Sequence, residues 1–262
     1  MRAAMVVRTE LTKLRRSRVT GITFAVYAFM VAMAGFFLWM MKNPGVAKTL
    51  GLMGQKATLA FGGQPLDWPT FLGFIVEMGG IGSLLRSAVI VTYVCGREYV
   101  EGTAKNMLAL PVPRTLFVLA KILVSAVWMG LLTLWLVPVS LLVGSLVGLP
   151  GLGASLLAAT AGRLFVLAAM SLCCSTLVAW VAVETQGYFA PLGFAIGTLV
   201  LASVFGHTGW GPWLPWSIIG LYSGASGEVM GLGWGNLAVV AGTFVAGTAL
   251  TLRHELAADN TQ

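Results

Sequence analysis

The sequence predicts an all-α polytopic membrane protein with six spans, and three observations carry that reading. Hydrophobic residues fill 58% of the 262 positions and charged residues only 10%, too few polar side chains to cover a soluble domain. The apolar residues gather into blocks long enough to cross about 30 Å of hydrocarbon. The net charge of +7 is also unevenly placed, with six of the 16 Lys and Arg in the first 18 positions. That pattern sets orientation in a bilayer and is no nucleic-acid footprint.

Residues 1–18 place Ala4, Val7, Leu11 and Leu14 at helical spacing, with Arg2, Arg8, Lys13, Arg15 and Arg16 on the remaining faces. An amphipathic helix lying in the headgroup layer is expected. The next apolar run, 21–41, is long enough to span, and no small-residue cleavage site follows it, so it reads as an uncleaved first span and not as a signal peptide. Positions 42–70, with Lys42, Lys48, Lys56 and Asp67, form an external loop. The second span covers about 71–95 and contains Glu77 and Arg86. The third covers about 122–147, with a kink expected at Pro138, and ends at a GLPGLG turn. The fourth covers about 155–183, carries Arg163, and leads to a short ETQG connection. The fifth covers about 188–205, and its Gly193/Gly197 pair has the spacing that lets helices approach closely. Segment 206–234 holds Trp210, Trp213, Trp216 and Trp234 with eight glycines and two prolines, which predicts short external or re-entrant pieces at an interface. The sixth span covers about 235–252. Residues 19–262 thus form one transmembrane domain behind the N-terminal helix.

Counting Lys and Arg on alternate loops gives 11 on the side of both termini and of segment 97–121, against three on the other. The positive-inside rule places that side in the cytoplasm. Arg86 and Arg163 remain within spans, where each costs about 2.5 to 3.5 kcal/mol on insertion scales and is expected to face protein or water. Glu77 and Arg163 fall at similar depth, which predicts a pair across the bundle. Arg86 has no such partner and is expected to face a cavity or a second protomer. These three are the candidates for a substrate path. Cys95, Cys173 and Cys174 lie in or beside apolar runs and read as small buried side chains.

The chain contains no GxxxxGK[ST] phosphate loop and no GxGxxG opening a helix. His254-Glu255 begins like a zinc-protease helix, but Ala258 stands where the second histidine is required. No catalytic or metal-ligating set emerges, and a non-enzymatic role follows. A transporter with this sequence needs an energy source outside the chain.

The charged interval from Arg97 to Lys121 breaks the apolar pattern. Arg97, Glu101 and Lys105 are four apart and can form a ladder on one helix face. Gly96 and the Pro111-Val112-Pro113 break bound an expected short amphipathic helix. The run EYVEGTAKNMLALPVPR from Glu98 to Arg114, with Lys121 seven residues on, resembles the cytoplasmic loop of ABC type-2 transporter permeases. Its EGTAKN form resembles the small permeases of bacterial bacitracin and lantibiotic self-resistance exporters. The resemblance extends in outline along the whole chain, including the external WGPWLPWSI piece.

The resemblance implies that residues about 98–110 form a coupling helix docked on a separate P-loop ATPase, which binds ATP and Mg. Glu98, Glu101, Gly102 and Thr103 match the start of the motif, Pro111 its break, and Arg114 and Lys121 its basic end, with Lys105 and Asn106 counted among the ATPase-coupling residues. It further implies that residues 1–18 form an elbow helix, that two permeases pair, and that an amphiphile is exported across the bacterial inner membrane. Two other readings fit the residues alone: an ion-gradient-driven transporter using Glu77 and Arg86, and a non-transporting membrane scaffold.

Overall fold

The computed structural model describes residues 2–43, 45–46, 65–103, 113–227 and 229–257. Among them are eight α-helices, one 3-10 turn and no strand. These are α1 (Arg2–Arg16), α2 (Arg18–Lys42), α3 (Trp68–Val100), α4 (Arg114–Val147), α5 (Ala154–Glu184), α6 (Phe189–Phe205), the turn Gly211–Trp213, α7 (Pro215–Ser223) and α8 (Trp234–Ala257). Five of them, α2, α3, α4, α5 and α8, are long and apolar enough to cross a membrane. The sixth expected span is α6, an apolar helix of 17 residues and about 26 Å.

The helix ends follow from local chemistry. Ser17 is extended and caps α2 by accepting a hydrogen bond from the Val19 amide, so the chain turns between α1 and α2. Asp67 caps α3 by accepting from the Thr70 amide, and Pro69 sits in the first turn, where its missing N–H costs nothing. Gly148 ends α4 at φ 68°. Lys42, the last residue of α2, donates to the carbonyls of Val147 and Gly148 at 3.0 Å each, a cation placed on the negative end of α4. Pro138 lies inside α4 without ending it.

In lipid the packing of helices is driven by close fit, since apolar surface gains little by leaving acyl chains. Here the fit comes from small residues at crossings. Gly35 on α2 receives Val143 of α4, and Gly144 of α4 receives the Trp68 ring. Gly79 and Gly80 on α3 meet Leu164 and Ser223, and the Ser83 and Ser171 hydroxyls join α3 to α5 at 2.5 Å. On α8, Gly247 lies against the backbone of Thr176 and Leu177, where an added Cβ would come within 2.6 Å of the Leu177 nitrogen. The Gly193/Gly197 pair does not serve this purpose within the chain, because a Cβ added at either position would meet no other part of the described residues within 4 Å.

One core joins Leu38, Phe71, Ile75, Leu136, Leu167, Ile218 and Ile219 from α2, α3, α4, α5 and α7. The short α7 packs on α3, α5 and α6 with Ser217, Ile218 and Ile219 buried. Around it Trp210, Trp213 and Trp234 are exposed, as residues of a membrane-interface belt would be, while Trp216 packs edge-on against Phe194. Cys95 and Cys174 are buried and Cys173 partly so, all as free thiols.

A second core gathers Leu14, Ile90, Val94, Val124 and Trp128. The apolar stripe of α1 therefore faces protein where lipid was expected: Leu14 is buried, Val7 and Leu11 are half-buried, and only Ala4 is exposed.

Replacement of Gly247 by Leu should force α8 from α5 and destabilise the protein by about 1–3 kcal/mol. The check is a fall in melting temperature in detergent, with Gly193→Ala as a matched control in open space that leaves it unchanged.

Candidate functional site: the charged end of the bundle

The last turn of α3 does not break at Gly96. That glycine is buried in the helix, where a Cβ would meet the Gly187 carbonyl and the Tyr188 ring at 3.2 Å. The helix continues to Val100 and stops at Gly102, whose φ of 68° suits glycine. The Gly102 amide donates to the Tyr99 carbonyl at 3.2 Å and the Thr103 amide to the Glu98 carbonyl at 2.9 Å. This is a Schellman closure, which satisfies the final carbonyls and ends the helix abruptly. Arg97 and Glu101 form the first rung of the expected ladder at 2.8 Å, but Gly102 ends the helix before Lys105. Lys105, Asn106 and Pro111, with most of the expected coupling helix, lie outside the described residues.

The side chains beside this closure divide into an inner and an outer set. Glu98 is inner, only 6% exposed, and its carboxylate meets Lys121 of α4 at 2.8 Å and Lys13 of α1 at 2.9 Å. Lys13 also pairs with the buried Glu10 at 2.5 Å. Two carboxylates and two ammonium groups thus lock three helices together with balanced charge. Burial by itself would lower the Lys13 pKa, but hydrogen bonds to Glu10 and Glu98 outweigh it and hold the ammonium above the usual lysine range. Glu101, Gly102 and Thr103 form the outer set, with the Glu101 side chain 48% exposed.

Neighbouring contacts bring the C-terminal end of α8 into the same place. Tyr99 donates to the Glu255 carboxylate at 2.8 Å, Arg114 donates to the Glu255 carbonyl at 2.7 Å, and His254 meets Glu184 of α5 at 2.8 Å. The residues that looked like a zinc-protease fragment are in fact used to fasten α8. Sequence reasoning did not find Glu10, Lys13, Tyr99 or Glu255. The one available signal was Glu10, an isolated acid in a basic helix and three residues before Lys13.

The intramembrane candidates lie elsewhere. Glu77 and Arg163 make no direct ion pair within 4.0 Å; instead both approach the C-terminal end of α7. Arg163 donates to the Tyr222 carbonyl at 3.1 Å and lies over the Tyr222 ring, a cation on the negative end of a helix. Glu77 lies beside Gly224, whose φ of 92° closes that helix. Arg86 is 7% exposed, and it has a partner within the chain: its guanidinium lies 4.8 Å from the centre of the Tyr27 ring.

Residues 6–202 match the family described as ABC-2 family transporter protein, three quarters of the chain. Among curated proteins, none matches the chain.

Glu98→Gln would leave Lys13 and Lys121 without their shared anion, and a loss of about 3–5 kcal/mol of stability is expected. Glu101→Gln, on the exposed pair, should cost at most about 0.5 kcal/mol. Thermal melts of the two purified variants measure the contrast. The raised Lys13 pKa makes its contribution fully present below the ordinary lysine value and lost as pH rises through the folded one. A spin-label distance between α1 and α4 should therefore hold from neutral into mildly alkaline pH and lengthen only above the ordinary lysine range.

Proposed function

Because the chain belongs to the ABC-2 transporter family, we propose that it is the transmembrane subunit of an ATP-driven exporter, moving an amphiphilic substrate out of the cytoplasm by alternating access. Permeases of this family work with a separate ABC ATPase, so ATP and Mg are bound by the partner and this chain contributes no catalytic group. The observation that carries the reading is the end of α3. A helix anchored by the buried Glu98 carboxylate delivers the exposed Glu101 and Gly102, with the half-buried Thr103, directly into the segment whose motif resembles an ATPase-coupling loop. Force can be passed through such a terminus only if it is anchored on its inner side, and Lys13 and Lys121 supply that anchor.

In this reading α6 joins the five long helices as the sixth span. Both termini and the charged end face the cytoplasm of a bacterial cell. Segment 206–234 lies on the outer side, where its exposed tryptophans suit the interface. Two copies, or this chain with a paralogue, form the translocation unit. The open face of α6, with Ile196, Val200 and Val204 exposed beside Gly193 and Gly197, is free to meet such a partner. Glu77, Arg86 and Arg163 line or brace the route, and a peptide antibiotic, drug or lipid-like molecule fits a path that is apolar with a few fixed polar groups.

Glu101→Arg tests the coupling role. It reverses a charge on the outer set while the inner set stays intact, and a like-charge contact across an interface costs several kcal/mol. The variant should lose co-purification with the ATPase, or hydrolyse ATP without transport. Normal complex formation and normal coupling in Glu101→Arg would remove this turn from the interface.

A further inference from the structure

We propose that the cleft between α1 and the end of α3 binds the phosphate-bearing headgroup of an anionic phospholipid. The cleft has a volume of about 400 Å³ and is lined by Arg8, Thr9, Thr12, Lys13, Arg16 and Arg97, four cations and, among the described residues, no acid. The charges are not equally engaged. Lys13 is matched by Glu10 and Glu98, and Arg97 gives its Nε to Glu101. Arg97 keeps its two terminal nitrogens without a hydrogen bond among the described residues, and its guanidinium is steadied 5.7 Å from the Tyr93 ring centre. Arg8 and Arg16 are exposed, and their side chains have no hydrogen bond or ion pair among the described residues. Eight residues apart on α1, they sit about 12 Å from each other along the helix axis. Two unengaged guanidinium forks and half of a third converge on one recess, and that donor geometry suits phosphate oxygens.

The threonines narrow the ligand further. Thr9 donates its hydroxyl hydrogen to the Met5 carbonyl and Thr12 to the Arg8 carbonyl, at 2.9 and 2.7 Å. Their oxygens are left as acceptors. A headgroup that brings hydroxyl hydrogens of its own, as glycerol does, complements them.

Position selects lipid over other anions. Arg16 is two residues before α2 begins, and Arg97 is the first charged residue after the apolar run of α3 that ends at Gly96. Both therefore stand where spans leave hydrocarbon, at the level of the headgroups. The apolar stripe of α1 is occupied by Leu14 and its neighbours in the protein core, which leaves Arg8 and Arg16 on the exposed side of the helix. Shape selects lipid over a protein surface. A recess of this volume accepts a glycerophosphate group, whereas an acidic protein surface would have to push side chains into it. The site does not depend on the chain's role in transport, and its test contains no transport step.

The experiment is native mass spectrometry of the purified full-length protein, titrated with dioleoyl phosphatidylglycerol, dioleoyl phosphatidylcholine or inorganic phosphate. Phosphatidylglycerol should bind at least about tenfold more tightly than phosphatidylcholine. The double variant Arg8→Gln/Arg16→Gln should lower phosphatidylglycerol affinity about 30-fold, from the headgroup attraction of two arginines, and leave phosphatidylcholine unchanged. Both residues are exposed, so an unchanged melting temperature verifies that the fold is intact. Equal affinity for the two lipids overturns the proposal, as does undiminished phosphatidylglycerol binding in the double variant. Displacement of the lipid by inorganic phosphate at equal concentration would reassign the cleft to a free anion. Loss of ATPase binding in the double variant with lipid binding intact would reassign it to a protein.

Discussion

The structure depends on one carboxylate. Glu98 is buried at the end of α3, and it tolerates burial only because Lys13 and Lys121 arrive from helices 85 and 23 positions away. Desolvating a carboxylate costs several kcal/mol, and attraction between charges repays it only when geometry and count are both correct. The requirement works in the other direction as well. Lys121 is 5% exposed and has nowhere else to send its charge, while Lys13 brings Glu10 with it. A cluster of this kind adds little stability over a well-packed apolar one, but it penalises every arrangement in which one member is missing. It therefore specifies the docking of α1, which otherwise has only a short apolar edge to hold it.

The same principle is solved differently where no carboxylate is in direct contact. Arg86 lies over Tyr27 and Arg163 over Tyr222, so two guanidinium groups within long helices rest on the negative faces of tyrosine rings. Tyr27 is itself fixed by donating to the Gly82 carbonyl at 2.9 Å, and Arg163 adds the end of α7. Among the described residues no carboxylate pairs with Arg86, so it remains able to meet an anion that arrives later, whereas Arg163 has Glu77 nearby.

The apolar blocks were legible from hydropathy, since a block of the right length has few alternatives in a membrane protein. The helices outrun them: α4 begins at Arg114, eight residues before the expected 122, and α3 and α8 run five residues past the expected 95 and 252. The GLPGLG turn that begins at Gly148 was readable for a local reason, because a glycine suits the left-handed end of a helix. What could not be read was direction. Leu14 packs on protein and Ile22 is exposed, yet both are apolar, because the bilayer and the core reward the same side chains. The spacing of Gly193 and Gly197 was correct for a helix crossing, but crossings occurred at Gly35, Gly144 and Gly247, and only the tertiary arrangement decides that. Glu77 and Arg163 were expected as a pair; both instead approach the end of α7, an element whose place no periodicity reveals. At the charged end, Glu98 matched a surface motif and turned inward, while Glu101 in the same motif stayed exposed. Residues three apart lie on nearly the same helix face, so what separates the anchor from the contact is the helix end: Glu98 is still inside the last turn of α3, and Glu101 is its C-cap.

α3 has a property that follows from its length. At 33 residues it is about 50 Å long, well beyond the thickness of hydrocarbon, and proline occurs in it only at the first turn. One end carries Glu98 and the exposed turn; toward the other lie Glu77, Gly79 and Gly80, against the end of α7 and Leu164. A rod clamped near one end behaves as a lever with unequal arms. With the Lys13–Glu98–Lys121 clamp as fulcrum, the short arm is the turn at Glu101 and the long arm is nearly everything else. A tilt of about 5° would carry the far tip about 4 Å while the near tip scarcely moved. The glycine notch where α7 and α5 press on the long arm is therefore where such a swing would be felt.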